Sequence, residues 1–65
     1  MLITFQRDSD NAPLMVNTRF IRRVEDEPGR PGVTKLSLDG GAIILVAGDV
    51  LTQVERIERL QRGDD

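Results

Sequence analysis

Val33-Thr34-Lys35-Leu36-Ser37-Leu38-Asp39-Gly40-Gly41-Ala42-Ile43-Ile44-Leu45-Val46-Ala47 is the stretch that decides the fold. Two apolar, partly β-branched runs flank Asp39-Gly40-Gly41, and Asp-Gly supplies the positive φ angles that a tight hairpin turn demands. The reading predicts a β-hairpin. With a two-residue loop at Asp39-Gly40, Leu36 faces Ile43 and Thr34 faces Leu45. A loop at Gly40-Gly41 shifts the pairs yet keeps Leu36, Leu38, Ile43 and Leu45 on one face. A three-residue loop reverses the face assignment, because strand side chains alternate with period two. In both two-residue cases the other face carries Val33, Ile44 and Val46 beside Lys35 and Ser37, and is too apolar to be simply solvated. Val33, Ile44 and Val46 are therefore the expected protein-interaction surface, offered to a second copy or to another protein.

C-terminal to the hairpin, Gly48-Asp49 precedes a helical pattern over 49–62. Asp49 is a good N-cap, and Val50, Leu51, Val54, Ile57 and Leu60 recur at helical spacing as one apolar stripe. Gly63 suits the position after the last turn, and residues 63–65 are expected to fray. N-terminal to the hairpin, Pro28-Gly29-Arg30-Pro31-Gly32 is the clearest loop in the chain. Ile3 and Phe5 share one face of a first strand over residues 1–7. Asp8 to Pro13 is a cluster of turn formers, and Leu14 to Asn17 reads as a second strand. Ile21 and Val24 are three apart, which does not fit a flat strand. A single helical turn near 18–21 anchored by Asn17, or a bulge, followed by a strand over about 22–27 accounts for them.

The order predicts an α+β, mostly β fold: a small curled antiparallel sheet of about five strands with one C-terminal helix (β-β-β-β-β-α), in a single domain over 1–62. The expected core is Ile3, Phe5, Leu14, Val16, Ile21, Val24, Leu36, Leu38, Ile43, Leu45, Leu51, Val54 and Ile57.

Composition narrows the function. The chain has 65 residues, 38% hydrophobic and 31% charged, with a net charge of −2. A domain this small sits near the lower limit for folding alone, so association into a homodimer is one way to complete it. Cysteine, histidine, tryptophan and tyrosine are all absent. Thiol nucleophiles, imidazole bases and the common zinc sites go with them, and the expectation is a non-enzymatic protein with no catalytic residues, no metal and no cofactor. Asp8-Ser9-Asp10-Asn11 lacks the later glycine and glutamate of a calcium loop. No small-molecule substrate is expected. The longest apolar run, Ala42 to Ala47, is far too short to insert in a membrane, and a cytoplasmic location is the default expectation.

The one local charge feature is Arg19, Arg22 and Arg23. Arginine forks suit phosphate or carboxylate, so these three are the candidate nucleic-acid-binding residues. The bland alternative pairs them with Glu25, Asp26 and Glu27 across the sheet surface.

Val16-Asn17, Ile21, Val24-Glu25, Leu36-Ser37-Leu38-Asp39-Gly40-Gly41, Ile43-Ile44-Leu45-Val46 and then Val50, Val54 and Ile57 together resemble the FlbD/SwrD family of small flagellar proteins. The resemblance covers most of the chain and implies a non-enzymatic accessory protein of bacterial flagellar assembly or motor power, with no catalytic residues. The readings carried forward are thus a protein-interaction module, an RNA- or DNA-binding regulator acting through the arginines, and a phage or mobile-element inhibitor that binds a host protein complex.

Overall fold

The computed structural model describes residues 1–63; the expected fraying of Asp64 and Asp65 lies outside the described residues. Five strands and one helix follow in the order β1 (Leu2–Gln6), β2 (Pro13–Asn17), β3 (Ile21–Asp26), β4 (Val33–Leu38), β5 (Ile43–Ala47) and α1 (Val50–Gln61). The α+β, mostly β architecture is the expected one. β1 and β2 form an antiparallel hairpin, and β3-β4-β5 form a three-stranded antiparallel sheet. The two sheets meet at one corner, where Arg7 bridges Val46 and the Asp8 amide donates to the Leu45 carbonyl at 3.0 Å.

The hairpin turn has three residues. The Leu38 amide donates to the Ala42 carbonyl at 2.8 Å, so Asp39, Gly40 and Gly41 form the loop, with both glycines at positive φ (86° and 89°). Ser37 then pairs with Ile43, Leu36 with Ile44 and Thr34 with Val46. This is the alternative that reverses the faces. Leu36 and Val46 point inward and are fully buried, whereas Ile43 points outward and is 60% exposed. Leu45 lies on the outer side with Ile43 and is half-buried. Ile43 is thus removed from the expected core by the register alone.

A bulge resolves the Ile21–Val24 spacing. Ile21 pairs with Leu38 and Arg23 with Ser37, leaving Arg22 as an extra residue. Before it, Thr18–Phe20 form a 3₁₀ turn capped by Asn17, whose Oδ1 accepts from the Arg19 amide at 3.0 Å. Turn and bulge are both present. The inserted residue keeps Ile21 and Val24 packed on the core and turns Arg22 and Arg23 outward together. Ile3, Phe5, Val16, Leu36 and Val46 make the buried centre, and Leu14, Ile21, Val24, Leu38, Ile44, Ile57 and Leu60 pack around it.

Gly48 joins β5 to α1, and three parts of the chain converge on it. Its amide donates to the Gly32 carbonyl at 2.8 Å, and its carbonyl accepts from the buried Thr34 hydroxyl at 2.8 Å. Its φ of 104° lies in the region that favours glycine, and a Cβ there would fall 2.5 Å from Gln53 Nε2. Gln53 is itself buried and donates to the Ala47 carbonyl at 2.7 Å. The helix then starts at Asp49, whose carboxylate accepts from the Thr52 amide at 2.8 Å. Leu51 is a correction to the expected stripe. It falls on the side of α1 opposite Gln53 and is 69% exposed, because the helix is held to the sheet by Gln53, Ile57 and Leu60, while Val54 lines an open groove beside β3.

Two outcomes follow. Gly48→Ala destabilises the fold by about 1–3 kcal/mol through backbone strain alone, and the collision with Gln53 adds to it; urea unfolding followed by circular dichroism measures the loss. The second concerns pH. The hydrogen bond from Thr52 holds the Asp49 carboxyl below its ordinary range. A depressed folded value gives stability that is present above the unfolded value and lost as pH falls through the folded one. The thermal midpoint of the native chain therefore drops below about pH 4 more steeply than that of Asp49→Asn, which keeps a capping oxygen that does not titrate.

Candidate functional site

The side chains left on the surface by this packing gather on one flank. β3 is the outer strand of its sheet, and α1 lies along its inner side. Between them runs an open groove of about 290 Å³. Its floor is apolar, from Ile21 and Val24 on β3 and Val54 and Ile57 on α1. Its rim is charged, with Arg22 and Arg23 on the strand and Glu58 on the helix. On the other side of the same two arginines, a shallow cavity of about 510 Å³ is lined by Ser37, Gly41 and the exposed Ile43. The bulge thus places Arg22 and Arg23 on the ridge between two hollows.

Arg19, Arg22 and Arg23 all stand in solvent, and the expected pairing with carboxylates is only partly made. Arg22 Nε lies 3.6 Å from Asp39 Oδ1, and Arg23 Nη1 lies 4.0 Å from Glu25 Oε1. Glu25 is shared with Lys35, whose Nζ is 3.7 Å away. Both arginine side chains remain about three-quarters exposed, at 70% and 73%. Pairs this long and exposed contribute little, in the range of about 0–1 kcal/mol, so the arginines can exchange partners at low cost. Phe20, 53% exposed, sits between Arg19 and Arg22 in the 3₁₀ turn. It was missed in the sequence because it belongs to neither a strand nor a helix periodicity. Its position inside an arginine cluster was the available signal.

The other expected surface does not form. Val46 is fully buried and Val33 is 7% exposed, the first turned inward by the three-residue loop. Val33 sits where the Pro28–Gly32 loop closes on β4, with its carbonyl accepting from Glu27 and its amide donating to Arg30. Ile44 is half-buried against the core and reaches only the floor of a wide hollow of about 720 Å³ beside Leu14. Arg30 and Asp8 close the rim of that hollow with a 2.8 Å ion pair. Nearby, Arg7 grips Asp10 through Nε and Nη2 at 3.0 and 3.1 Å, and these bonds hold the Asp10 carboxyl low and the Arg7 guanidinium high. These pairs order the turn between β1 and β2 at the surface.

Polar contacts, not only the apolar stripe, fix the helix wall of the groove. Arg56 Nη2 donates to the Thr4 carbonyl at 2.7 Å, and its guanidinium lies 5.4 Å from the centre of the Phe5 ring. Gln61 Nε2 donates to Thr18 Oγ1 at 3.0 Å, and that hydroxyl lies 3.3 Å from the Met1 carbonyl it donates to. The middle of α1 is thereby tied to β1 and its C-terminal end to the 3₁₀ turn.

Comparison with protein-family models, with curated proteins and with solved structures finds no match.

The face assignment has a direct stability consequence. Val46→Asp places a carboxylate in the centre of the core and prevents cooperative folding, whereas Ile43→Ser and Leu51→Ser stay within about 0.5 kcal/mol of the native chain. Thermal melts of the three variants check it.

Proposed function

We propose that this chain is a small non-enzymatic protein-interaction module. The observation that supports it is the open groove along β3. An apolar floor of Ile21, Val24, Val54 and Ile57 lies beside a strand edge that has no neighbouring strand among the described residues, and two exposed, weakly paired arginines mark its rim. Strand edges beside a helix are surfaces on which extended segments dock, because backbone hydrogen bonds give affinity and side-chain hollows give selectivity. The resemblance in residue pattern makes a FlbD-like accessory role in the flagellum one particular form of this reading, and inhibition of a host complex by a phage-borne protein another.

Nucleic-acid binding is the second reading, and Phe20 is the observation that favours it. An exposed aromatic ring between Arg19 and Arg22 offers one stacking surface with charge around it. The net charge of −2 and the carboxylates beside Arg22 and Arg23 place it second.

Affinity capture from lysate of the source cells, with and without nuclease, separates the two. The interaction-module reading expects a protein partner that survives nuclease and is lost with Phe20→Ser/Arg22→Glu. Recovery that disappears on nuclease treatment contradicts it and transfers the weight to the nucleic-acid reading.

A further inference from the structure

The edge of β3 carries a charge pattern that is its own complement. Residues 22–26 read Arg-Arg-Val-Glu-Asp. Run antiparallel against a second copy about Val24, Arg23 stands opposite Glu25 and Glu25 opposite Arg23, so each cation meets an anion; Arg22, the bulge residue, stands outside this regular pairing. Val24 meets Val24. We propose that the chain forms a two-fold symmetric homodimer through this edge, joining the two three-stranded sheets into one continuous sheet.

The backbone fits the pairing. The Glu27 amide donates to the Val33 carbonyl at 3.2 Å, so Arg23, Glu25 and Glu27 turn their peptide groups toward β4. The intervening Val24 and Asp26 turn theirs away from the sheet, because the two sides of a strand alternate. Those outward amides and carbonyls have no partner among the described residues. A hydrogen-bonded pair centred on Val24 places them opposite their own symmetry mates. An isologous contact of this kind needs a self-complementary patch, and Arg23-Val24-Glu25 is one.

β1 and β5 turn toward each other at the corner where Arg7 bridges Val46, and the outer edge of β2 is less suited. Arg7 donates to Ala12 and Thr18 to Met1, which turns the peptide groups of Leu14 and Val16 toward β1 and those of Pro13, Met15 and Asn17 outward. Pro13 has no amide to give, so that row is interrupted. β3 contains no proline. A single-sign edge would repel a copy of itself, as protected edges do; this one reverses sign at its midpoint.

Side chains support the same geometry. Arg23 and Glu25 lie on the outer face, where the contact within one chain is at 4.0 Å and weak. Val24 lies on the inner face, at the groove formed with Val54 and Ile57. A second copy's Val24 and its own helix close the open side of that groove, which a lone chain leaves in water.

This deepens the interaction-module reading by naming its partner, and it rests on that reading. Sedimentation equilibrium on the full chain, across micromolar to millimolar concentrations, is the test. The native chain is expected to dimerise. Arg23→Glu and Glu25→Arg each put like charges opposite at two symmetric positions and weaken the dimer on the order of tenfold. Mixed in equal amounts, the two variants recover complementary charges at both positions and form a heterodimer of near-native strength. Circular dichroism checks that both fold; the two substituted side chains, Arg23 and Glu25, both reach solvent. A native chain that stays monomeric throughout overturns the proposal. So does a dimer that neither variant weakens, or a loss that mixing does not restore. A monomeric chain that still captures a protein partner after nuclease treatment overturns the dimer while leaving the interaction-module reading standing.

Discussion

The centre of the core in this structure depends on the count of residues in one turn. Asp39, Gly40 and Gly41 close the β4–β5 hairpin with three residues, and both glycines adopt the positive φ that the geometry requires. Because side chains alternate with a period of two, a loop one residue shorter turns every side chain of β5 to the other face relative to β4. The count puts Leu36 and Val46 at the centre of the core and leaves Ile43 in water. It also makes Ile43 the partner of Ser37; the faces of β3 are set separately, by its register on β4 and the bulge at Arg22. A 65-residue chain without disulfides or metal-binding thiols has no other covalent means to enforce that choice.

The second constraint is the corner at Gly48. The two peptide units flanking Gly48 answer to the loop before β4, to Thr34 in the core and to Gln53 on the helix. Polar groups do this inside a very small core, and each is satisfied; among the described residues no buried side-chain nitrogen or oxygen lacks a hydrogen bond. Gln53 and Arg56 show why the arrangement is specific. Apolar packing alone fixes the helix loosely in rotation, whereas a 2.7 Å bond from Gln53 to Ala47 and another from Arg56 to Thr4 fix it in one register. The groove between β3 and α1 inherits its shape from these bonds.

Element order, the Asn17 cap, the two loops and the helix start were legible because each rests on local chemistry: turn formers, a capping carboxylate, period-two and period-3.6 patterns. The faces of β4 and β5 were not, because Asp-Gly-Gly accommodates loops of two or three residues and the apolar content of both faces is nearly equal. That ambiguity is why Ile44 and Val46 were expected at the surface and Ile43 inside; Val33 keeps its face and is covered instead by the Pro28–Gly32 loop, whose closure on β4 no local pattern announced. Leu51 was misplaced for a related reason: at helical spacing it borders the stripe, and only the burial of Gln53, a polar residue, shows where the stripe ends. The arginines were legible as a cluster. Phe20 between them, and the sign reversal along residues 22–26, acquired meaning only once β3 was placed at the edge of a sheet.

One proton NMR experiment tests the central claim, the three-residue register that orients the hairpin. In an antiparallel ladder, residues opposite each other without mutual hydrogen bonds bring their α-carbons closest. The bond from Leu38 to Ala42 makes Ser37–Ile43 and Lys35–Leu45 such pairs. The account predicts strong α-proton to α-proton cross-relaxation within both pairs. Cross-relaxation that places Leu36 opposite Ile43, or Lys35 opposite Ile44, contradicts it; the buried face of β5 would then have to be assigned again.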